Sequence, residues 1–163
     1  GRYQESLAVC NRLLEAEKDP ALEVLAATNL YHTGRFEDAE VFFRDLAVRM
    51  PDSSYVHSYL GKVLEARGDD EATSEYAAAV RLDPANQDAL RSYAGYLLSR
   101  NDFRGALPLL FHLTKLAGTE KDTGNLVRAL IGCGRGDEAL AILKAQGGIQ
   151  AFVSEYIEAL LQV

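Results

Sequence analysis

Apolar residues recur along the chain at intervals of three and four. Two clear stripes are Val56-Leu60-Val63-Leu64 and Ala89-Leu90-Ala94-Leu97-Leu98. Residues with this spacing share one face of an α-helix, so each stripe predicts an amphipathic helix with one buried side. Runs of valine and isoleucine bounded by turn residues are missing, and alanine and leucine recur throughout. The pattern therefore predicts an all-α fold.

Five short segments of similar sequence interrupt the helical pattern at regular intervals. They begin at Gly1, Gly34, Gly68, Asn101 and Gly134, each 33 or 34 residues after the one before. Gly and Asn tolerate the left-handed conformation that often ends a helix. A small alanine closes four of the five segments and allows two helices to approach closely. Each segment is thus predicted to be the turn of a helical hairpin.

A second set of helix breaks lies about half a repeat later, at Pro51, Pro84 and Gly118. These residues are expected to end the second helix of each hairpin. The chain is then predicted to be one array over residues 1–163. Its parts are a half repeat at 1–19, full repeats at 20–53, 54–86, 87–119 and 120–149, and a final helix at 150–162. Pro108 falls inside a predicted helix, which should bend there or start late.

This organisation resembles the tetratricopeptide repeat family, whose period is about 34 residues. The residues that carry the resemblance are Tyr59-Leu60-Gly61, Ala72, Tyr76, Ala79 and Leu82-Asp83-Pro84 in one unit, and Tyr93-Ala94-Gly95, Leu97, Ala106 and Leu110 in the next. The resemblance implies a right-handed α-α superhelix, or solenoid, of antiparallel helical hairpins. One departure is that Glu23, His57, Leu90 and Thr123 stand where the family usually keeps a large residue near the start of each first helix.

Composition and charge narrow the functional classes. The chain has a formal net charge of -7, which argues against nucleic acid as a partner. It has no apolar run of the roughly 20 residues that a membrane span needs. Cys10 and Cys133 show no metal-binding spacing and are expected to be reduced thiols of a cytoplasmic protein.

No enzyme motif stands out in the sequence. The three histidines, His32, His57 and His112, are isolated from one another in the sequence. A glycine-rich segment, Gly132-Cys133-Gly134-Arg135-Gly136, follows a predicted helix, whereas a phosphate-binding loop would follow a strand. We therefore expect no catalytic activity, no metal and no cofactor.

The resemblance also implies a binding surface, because the first helix of each hairpin lines the concave groove in tetratricopeptide proteins. The candidate contact residues there are Tyr31, Tyr55, Ser58, Lys62, Arg91, Asn125 and Arg128. Lys62, Arg91 and Arg128 come from three successive hairpins and are expected to face one groove, where they could bind an acidic segment or a C-terminal carboxylate. The alternative is that they are ordinary solvated charges.

Some family members grip the acidic tail of heat-shock chaperones with a set of lysine, asparagine and arginine residues. Arg91, Gly95 and Asn125 match that set only in part. A chaperone clamp is therefore not expected from this sequence.

Three functional hypotheses follow. The first is a protein-interaction scaffold with a peptide or partner domain in its groove. The second is a segment of a larger enzyme or regulator, in which the array positions a catalytic or DNA-binding domain outside this chain. The third is a self-assembling structural array. A candidate end interface of Phe152, Tyr156 and Leu161 is expected to pack against another copy or against a further portion of a longer parent chain, although a tilt of the last helix could bury the same residues.

Overall fold

A computed structural model describes residues 2–6 and 19–145 of the chain. All regular structure in these residues is helical, which confirms the predicted all-α class. Residues 2–6 are helical, and eight further helices lie between residues 20 and 145. They are α1 (Pro20–His32), α2 (Phe36–Arg49), α3 (Ser54–Arg67), α4 (Ala72–Leu82), α5 (Gln87–Ser99), α6 (Phe103–Ala117), α7 (Glu120–Gly132) and α8 (Gly136–Ala145).

Four turns of the same kind join the helices within each described hairpin. Gly34, Gly68, Asn101 and Gly134 all have positive φ, between 58° and 77°. In each turn the N–H of this residue donates to the carbonyl three residues back, and the next N–H donates five residues back. Gly34 N and Arg35 N, for example, donate to Tyr31 and Leu30 at 3.0 Å. The prediction of left-handed hairpin turns is therefore confirmed at these four positions.

Each first helix begins at a polar cap. Asp19, Ser53, Asn86 and Thr119 precede α1, α3, α5 and α7, again 33 or 34 residues apart. Their side-chain oxygens accept hydrogen bonds from backbone N–H groups in the first turn, as Asn86 Oδ1 does from Ala89 N at 3.0 Å. These caps satisfy donors that the helix itself leaves unpaired.

Pro108 does not delay its helix. α6 begins at Phe103, because the Asp102 side chain accepts a hydrogen bond from Gly105 N at 2.9 Å and caps that position. The late start is therefore excluded, and the bend at Pro108 stays a prediction. Pro108 is exposed and lies inside the helix, and its missing N–H leaves the Arg104 carbonyl without its intrahelical donor.

The chain forms two compact units, Gly1–Ala89 and Leu90–Val163. In the first unit α1 packs on α2, α2 on α3, and α3 on α4. Its largest fully buried side chains are Phe43, Leu46, Val56, Leu60, Val63, Leu64 and Tyr76. In the second unit α7 packs on both α6 and α8, and its fully buried side chains include Leu110, Leu113 and Leu130.

Helix pairs approach closely where the sequence supplies a small residue. Ala39, Ala72, Ala106 and Ala139, which close the hairpin segments, have no exposed surface. At Gly61 the ring of Tyr76 lies against the backbone of α3, and a Cβ at this position would come within 2.8 Å of Tyr76 Cδ1. The Tyr76 hydroxyl also donates to Glu65 at 2.5 Å, which fixes the ring in place.

A partly exposed ion pair links α5 and α7 in the second unit. The Arg91 Nε lies 3.1 Å from Asp122 Oδ1, and the Arg91 Nη2 lies 3.1 Å from Asp122 Oδ2. The Asp122 side chain is only 2% exposed and also accepts from Thr119 N at 2.9 Å, within the capping box of α7. Burial raises the pKa of Asp122, but the hydrogen bonds from Arg91 and Thr119 outweigh this effect and lower it below its ordinary value.

We predict that Gly61→Ala destabilises the protein by about 1–3 kcal/mol, because the new methyl group overpacks against Tyr76. Gly95→Ala is the matched control. A Cβ at Gly95 would meet nothing within 4 Å, so this change should stabilise α5 by about 0.5–1 kcal/mol. Urea unfolding of both variants measures the difference. Equal effects at the two positions would contradict the close packing of α3 and α4.

We also predict that the Arg91–Asp122 pair makes stability depend on pH. The folded state lowers the pKa of Asp122, so the ionised carboxylate stabilises the fold fully above the unfolded-state pKa of about 3.9. This stabilisation is lost as the pH falls through the folded-state pKa. Asp122→Asn should cost roughly 1–3 kcal/mol at neutral pH and much less in acid.

Urea unfolding at a series of pH values from neutral to about pH 3 provides the measurement, since that range spans the ordinary carboxyl titration. Asp137→Asn is the control, because Asp137 is an exposed acid at the start of α8 in the same unit. If Asp122→Asn and wild type lose stability in parallel as the pH falls, the Arg91–Asp122 pair is not the cause of the pH dependence of the unfolding free energy.

Candidate functional site

A chain of rings in contact runs across the first helices of the first unit. It consists of Tyr3, His32, Tyr31, Tyr59 and Tyr55, which we call the tyrosine ladder. Tyr3 stacks on His32 with ring centroids 4.6 Å apart, and His32 lies 5.2 Å from Tyr31. Tyr31 meets Tyr59 edge to face at 5.8 Å, and Tyr59 lies 4.6 Å from Tyr55. The ladder therefore joins residues 2–6, α1 and α3 through continuous ring contacts.

Two phenylalanines support the ladder from α2. Phe43 is fully buried and stacks on Tyr59 at 5.6 Å, and Phe36 lies 5.7 Å from Tyr31. Aromatic pairs at these separations contribute about 0.5–1.5 kcal/mol each beyond the area that they bury. The core of the first hairpin thus holds the ring positions.

The ladder is only partly covered. Tyr55 is 44% exposed and Tyr3 is 50% exposed, whereas Tyr31 and Tyr59 are half-buried. The Tyr55 hydroxyl lies 3.3 Å from Thr28 Oγ1, and Thr28 donates its own hydrogen to the Val24 carbonyl at 2.8 Å. Because a threonine hydroxyl has one hydrogen, Tyr55 is the donor to Thr28. This bond orients the most exposed ring of α3.

Lys62 lies against the ladder. Its Nζ is 4.3 Å from the centroid of the Tyr59 ring, a cation–π contact. Burial lowers the pKa of Lys62, although the charges of Asp88 and Glu65 act in the opposite direction. Burial, together with the charge of Lys62, lowers the pKa of His32. The ladder therefore carries one half-buried cation beside an imidazole that is biased toward its neutral form.

The hydroxyls of Tyr31 and Tyr59 keep their protons at neutral pH. Burial raises the pKa of Tyr31, with a further contribution from the charge of Glu65. Burial and the hydrogen bond with Tyr55 raise the pKa of Tyr59. These hydroxyls can therefore donate hydrogen bonds as well as accept them.

Two of the predicted contact residues lie differently from the expectation. Ser58 is only 4% exposed, and its Oγ has no hydrogen-bond partner within the described residues. It belongs to the interior of the first unit, since neighbouring helices cover this face of α3. Arg91 is engaged by Asp122, so its charge is already neutralised inside the fold.

The three predicted cations are therefore not equivalent. Lys62 belongs to the first unit, and Arg91 and Arg128 belong to the second. Arg128 is exposed on α7, and Asn125 is half-buried on the same helix. Asp122 is not among the residues predicted from the sequence, although the Thr119-x-x-Asp122 spacing is typical of a capping box and could have indicated its role.

Other predictions fall on residues that the structure does not describe. Phe152, Tyr156 and Leu161, the candidate end interface, lie outside the described residues, as does Cys10. Within residues 2–6 and 19–145, no cluster of three or more His, Cys, Asp or Glu side chains is arranged to hold a metal ion. No helix in the same residues is long and apolar enough to cross a membrane.

Comparisons with known proteins agree with this architecture. Residues 123–145 match the sequence model of the tetratricopeptide repeat. No curated protein sequence matches the chain significantly.

Solved structures match over most of the chain. A thermophilic tetratricopeptide repeat protein of Thermus thermophilus has a TM-score of 0.70 at 22% identity, over 99% of this chain and 92% of that one. The MamA 41-end structure from Desulfovibrio magneticus has a TM-score of 0.74 at 17% identity, over 89% of this chain and 84% of that one. At these identities the likeness concerns the fold. The repeat spacing, the hairpins and these structural matches show that the chain has the fold of tetratricopeptide repeat proteins, and residues 123–145 match the sequence model of that repeat.

Proposed function

We propose that the chain is a protein-interaction scaffold that holds a peptide or partner domain against the first-helix face of its first unit. This face is formed by α1 and α3 and carries the tyrosine ladder. The observation that supports the proposal is a run of ring contacts whose outer members, Tyr3 and Tyr55, remain about half exposed.

Exposed tyrosines that are held in place are well suited to partner binding. A tyrosine buries a large apolar area and needs few rotatable bonds to be fixed, so it contributes strongly to interfaces. In the ladder each ring is already held by its neighbours, and Tyr55 is also held by Thr28. Little side-chain entropy remains to be lost when a partner binds.

The polar groups of the ladder define the chemistry of a suitable partner. The ring faces offer apolar contact, the hydroxyls of Tyr31 and Tyr55 offer hydrogen bonds, and Lys62 offers one half-buried positive charge. A partner segment would therefore present an apolar or aromatic side chain next to a carbonyl or carboxylate oxygen. Catalysis plays no part in this proposal.

The experiment selects peptides from a random displayed library with the full 163-residue chain and measures their affinity by titration calorimetry. Tyr55→Ala and Lys62→Ala should each weaken the selected peptides by about tenfold or more, which corresponds to roughly 1.4 kcal/mol at a central interface residue.

Val41→Ala/Val48→Ala is the matched control. These two valines are 72% and 80% exposed and lie on α2, away from the ladder. The control should bind the selected peptides as wild type does. If the valine variant loses binding and Tyr55→Ala retains it, the partner binds the outer helices and the proposed face is wrong.

A further inference from the structure

Charge is distributed unevenly between the two units. Residues 19–89 contain 14 acidic and 6 basic side chains, a net charge of -8. Residues 90–145 of the second unit contain 5 acidic and 8 basic side chains, a net charge of +3, and Glu155 and Glu158 bring the whole second unit to +1. The acidic balance of the whole chain thus hides a basic stretch in the second unit, where a local field would attract anionic partners.

Part of this positive charge lies on one face of α7. Lys121, Asn125 and Arg128 follow one another at intervals of four and three residues, so they share one side of the helix. Lys121 and Arg128 are exposed, and Asn125 is half-buried. In the part of the chain that the structure describes, these three side chains make no hydrogen bond or ion pair. We call them the basic face of α7.

Nearby acids do not neutralise this face. Asp122 follows Lys121 directly in sequence, but it is buried and bound by Arg91 and Thr119. Glu120 precedes Lys121 and is rotated about 100° away around the helix. The basic face is therefore left for a charge that comes from outside the fold.

An open position lies on the neighbouring helix. Gly95 follows Arg91 by one turn of α5, and Arg91 reaches α7 through Asp122. Gly95 is exposed, and a Cβ there would meet nothing within 4 Å. Packing does not require glycine at this point, and glycine weakens a helix interior. Its effect is to leave exposed backbone and free space on α5, the helix that the Arg91–Asp122 ion pair links to α7.

We infer that the basic face of α7, with the open position at Gly95, binds an acidic segment of a partner protein. Arg128 can pair with a carboxylate through two parallel hydrogen bonds, and Lys121 can pair with a second one as a point charge. The Asn125 amide can donate to and accept from the peptide backbone between them. The site lies wholly in the second unit and does not depend on the tyrosine ladder.

The spacing of the two cations sets the spacing of the acids. Seven residues of helix separate Lys121 from Arg128, a rise of roughly 10 Å. An extended chain covers that distance in about three residues. Acidic side chains about three residues apart in an extended segment would therefore reach both cations.

The test measures binding of a fluorescein-labelled polyglutamate octapeptide to the full chain by fluorescence anisotropy. Wild type should bind this peptide, should bind it less tightly as the salt concentration rises from roughly 50 mM, and should not bind the matching polyglutamine peptide. Lys121→Glu/Arg128→Glu should weaken binding by about tenfold or more. Lys121→Gln/Arg128→Gln, which adds no repulsion, should also weaken it.

The matched control is Arg104→Glu/Lys115→Glu. These two cations are exposed on α6 in the same unit, and their replacement changes the net charge by the same amount. The control and Tyr55→Ala should retain wild-type affinity for polyglutamate, and circular dichroism should show unchanged helix content in every variant.

Three results would overturn the inference. They are equal losses in the α6 and α7 double variants, equal binding of polyglutamine and polyglutamate by wild type, and no binding of polyglutamate at low salt. None of these results bears on the tyrosine ladder, whose test uses different peptides and different variants.

Discussion

The structure depends on two backbone constraints that keep the same period. Residues with positive φ recur at Gly34, Gly68, Asn101 and Gly134, and capping side chains recur at Asp19, Ser53, Asn86 and Thr119. The first set ends the first helix of each hairpin, and the second set begins it. Because both sets repeat every 33 or 34 residues, all first helices have nearly equal length. Within a unit, successive hairpins can then pack in the same way, and a contact made in one repeat can have a counterpart in the next.

Side chains on the first helices of successive repeats consequently meet, at separations a few residues shorter than the period. Thr28 and Tyr55 are 27 residues apart, Tyr31 and Tyr59 are 28 apart, and Arg91 and Asp122 are 31 apart. Each pair joins the first helices of neighbouring repeats. The tyrosine ladder and the buried carboxylate of Asp122 are therefore products of the repeat geometry as much as of local sequence. A shift of one residue in either turn would move the paired positions by about 100° around the helix and separate them.

The sequence alone was sufficient for the fold, because its signals are local. Glycine and asparagine at fixed intervals, proline after the second helices and helical spacing of apolar residues each act within a few residues. The bounds of α1 to α8 follow these signals closely. Pro108 does not delay α6, because Asp102 caps the helix several residues earlier. The environments of the candidate site residues were harder to predict from the sequence. Tyr55 was placed on an exposed face, which agrees with its exposure, but the burial of Ser58 and the pairing of Arg91 depend on side chains one repeat away. Such pairings require the register between helices, which a single sequence does not contain.

The two units use their charged residues differently, and this difference bears on recognition. In the first unit Glu40 pairs with Arg44 and Arg67, and Arg44 also pairs with Glu71, so cations of α2 and α3 are held within the fold. The surface of this unit that a partner could contact consists mainly of the aromatic rings of the tyrosine ladder. Their contribution to binding comes from the burial of apolar area and responds weakly to salt. The second unit keeps Lys121 and Arg128 without partners among the described residues, and contacts to such exposed charges are screened over about 8–10 Å at ordinary ionic strength. Ionic strength therefore separates the two surfaces. The proposed first-unit face combines ring surface with the charge of Lys62, so binding there should weaken less in high salt than binding through the second unit.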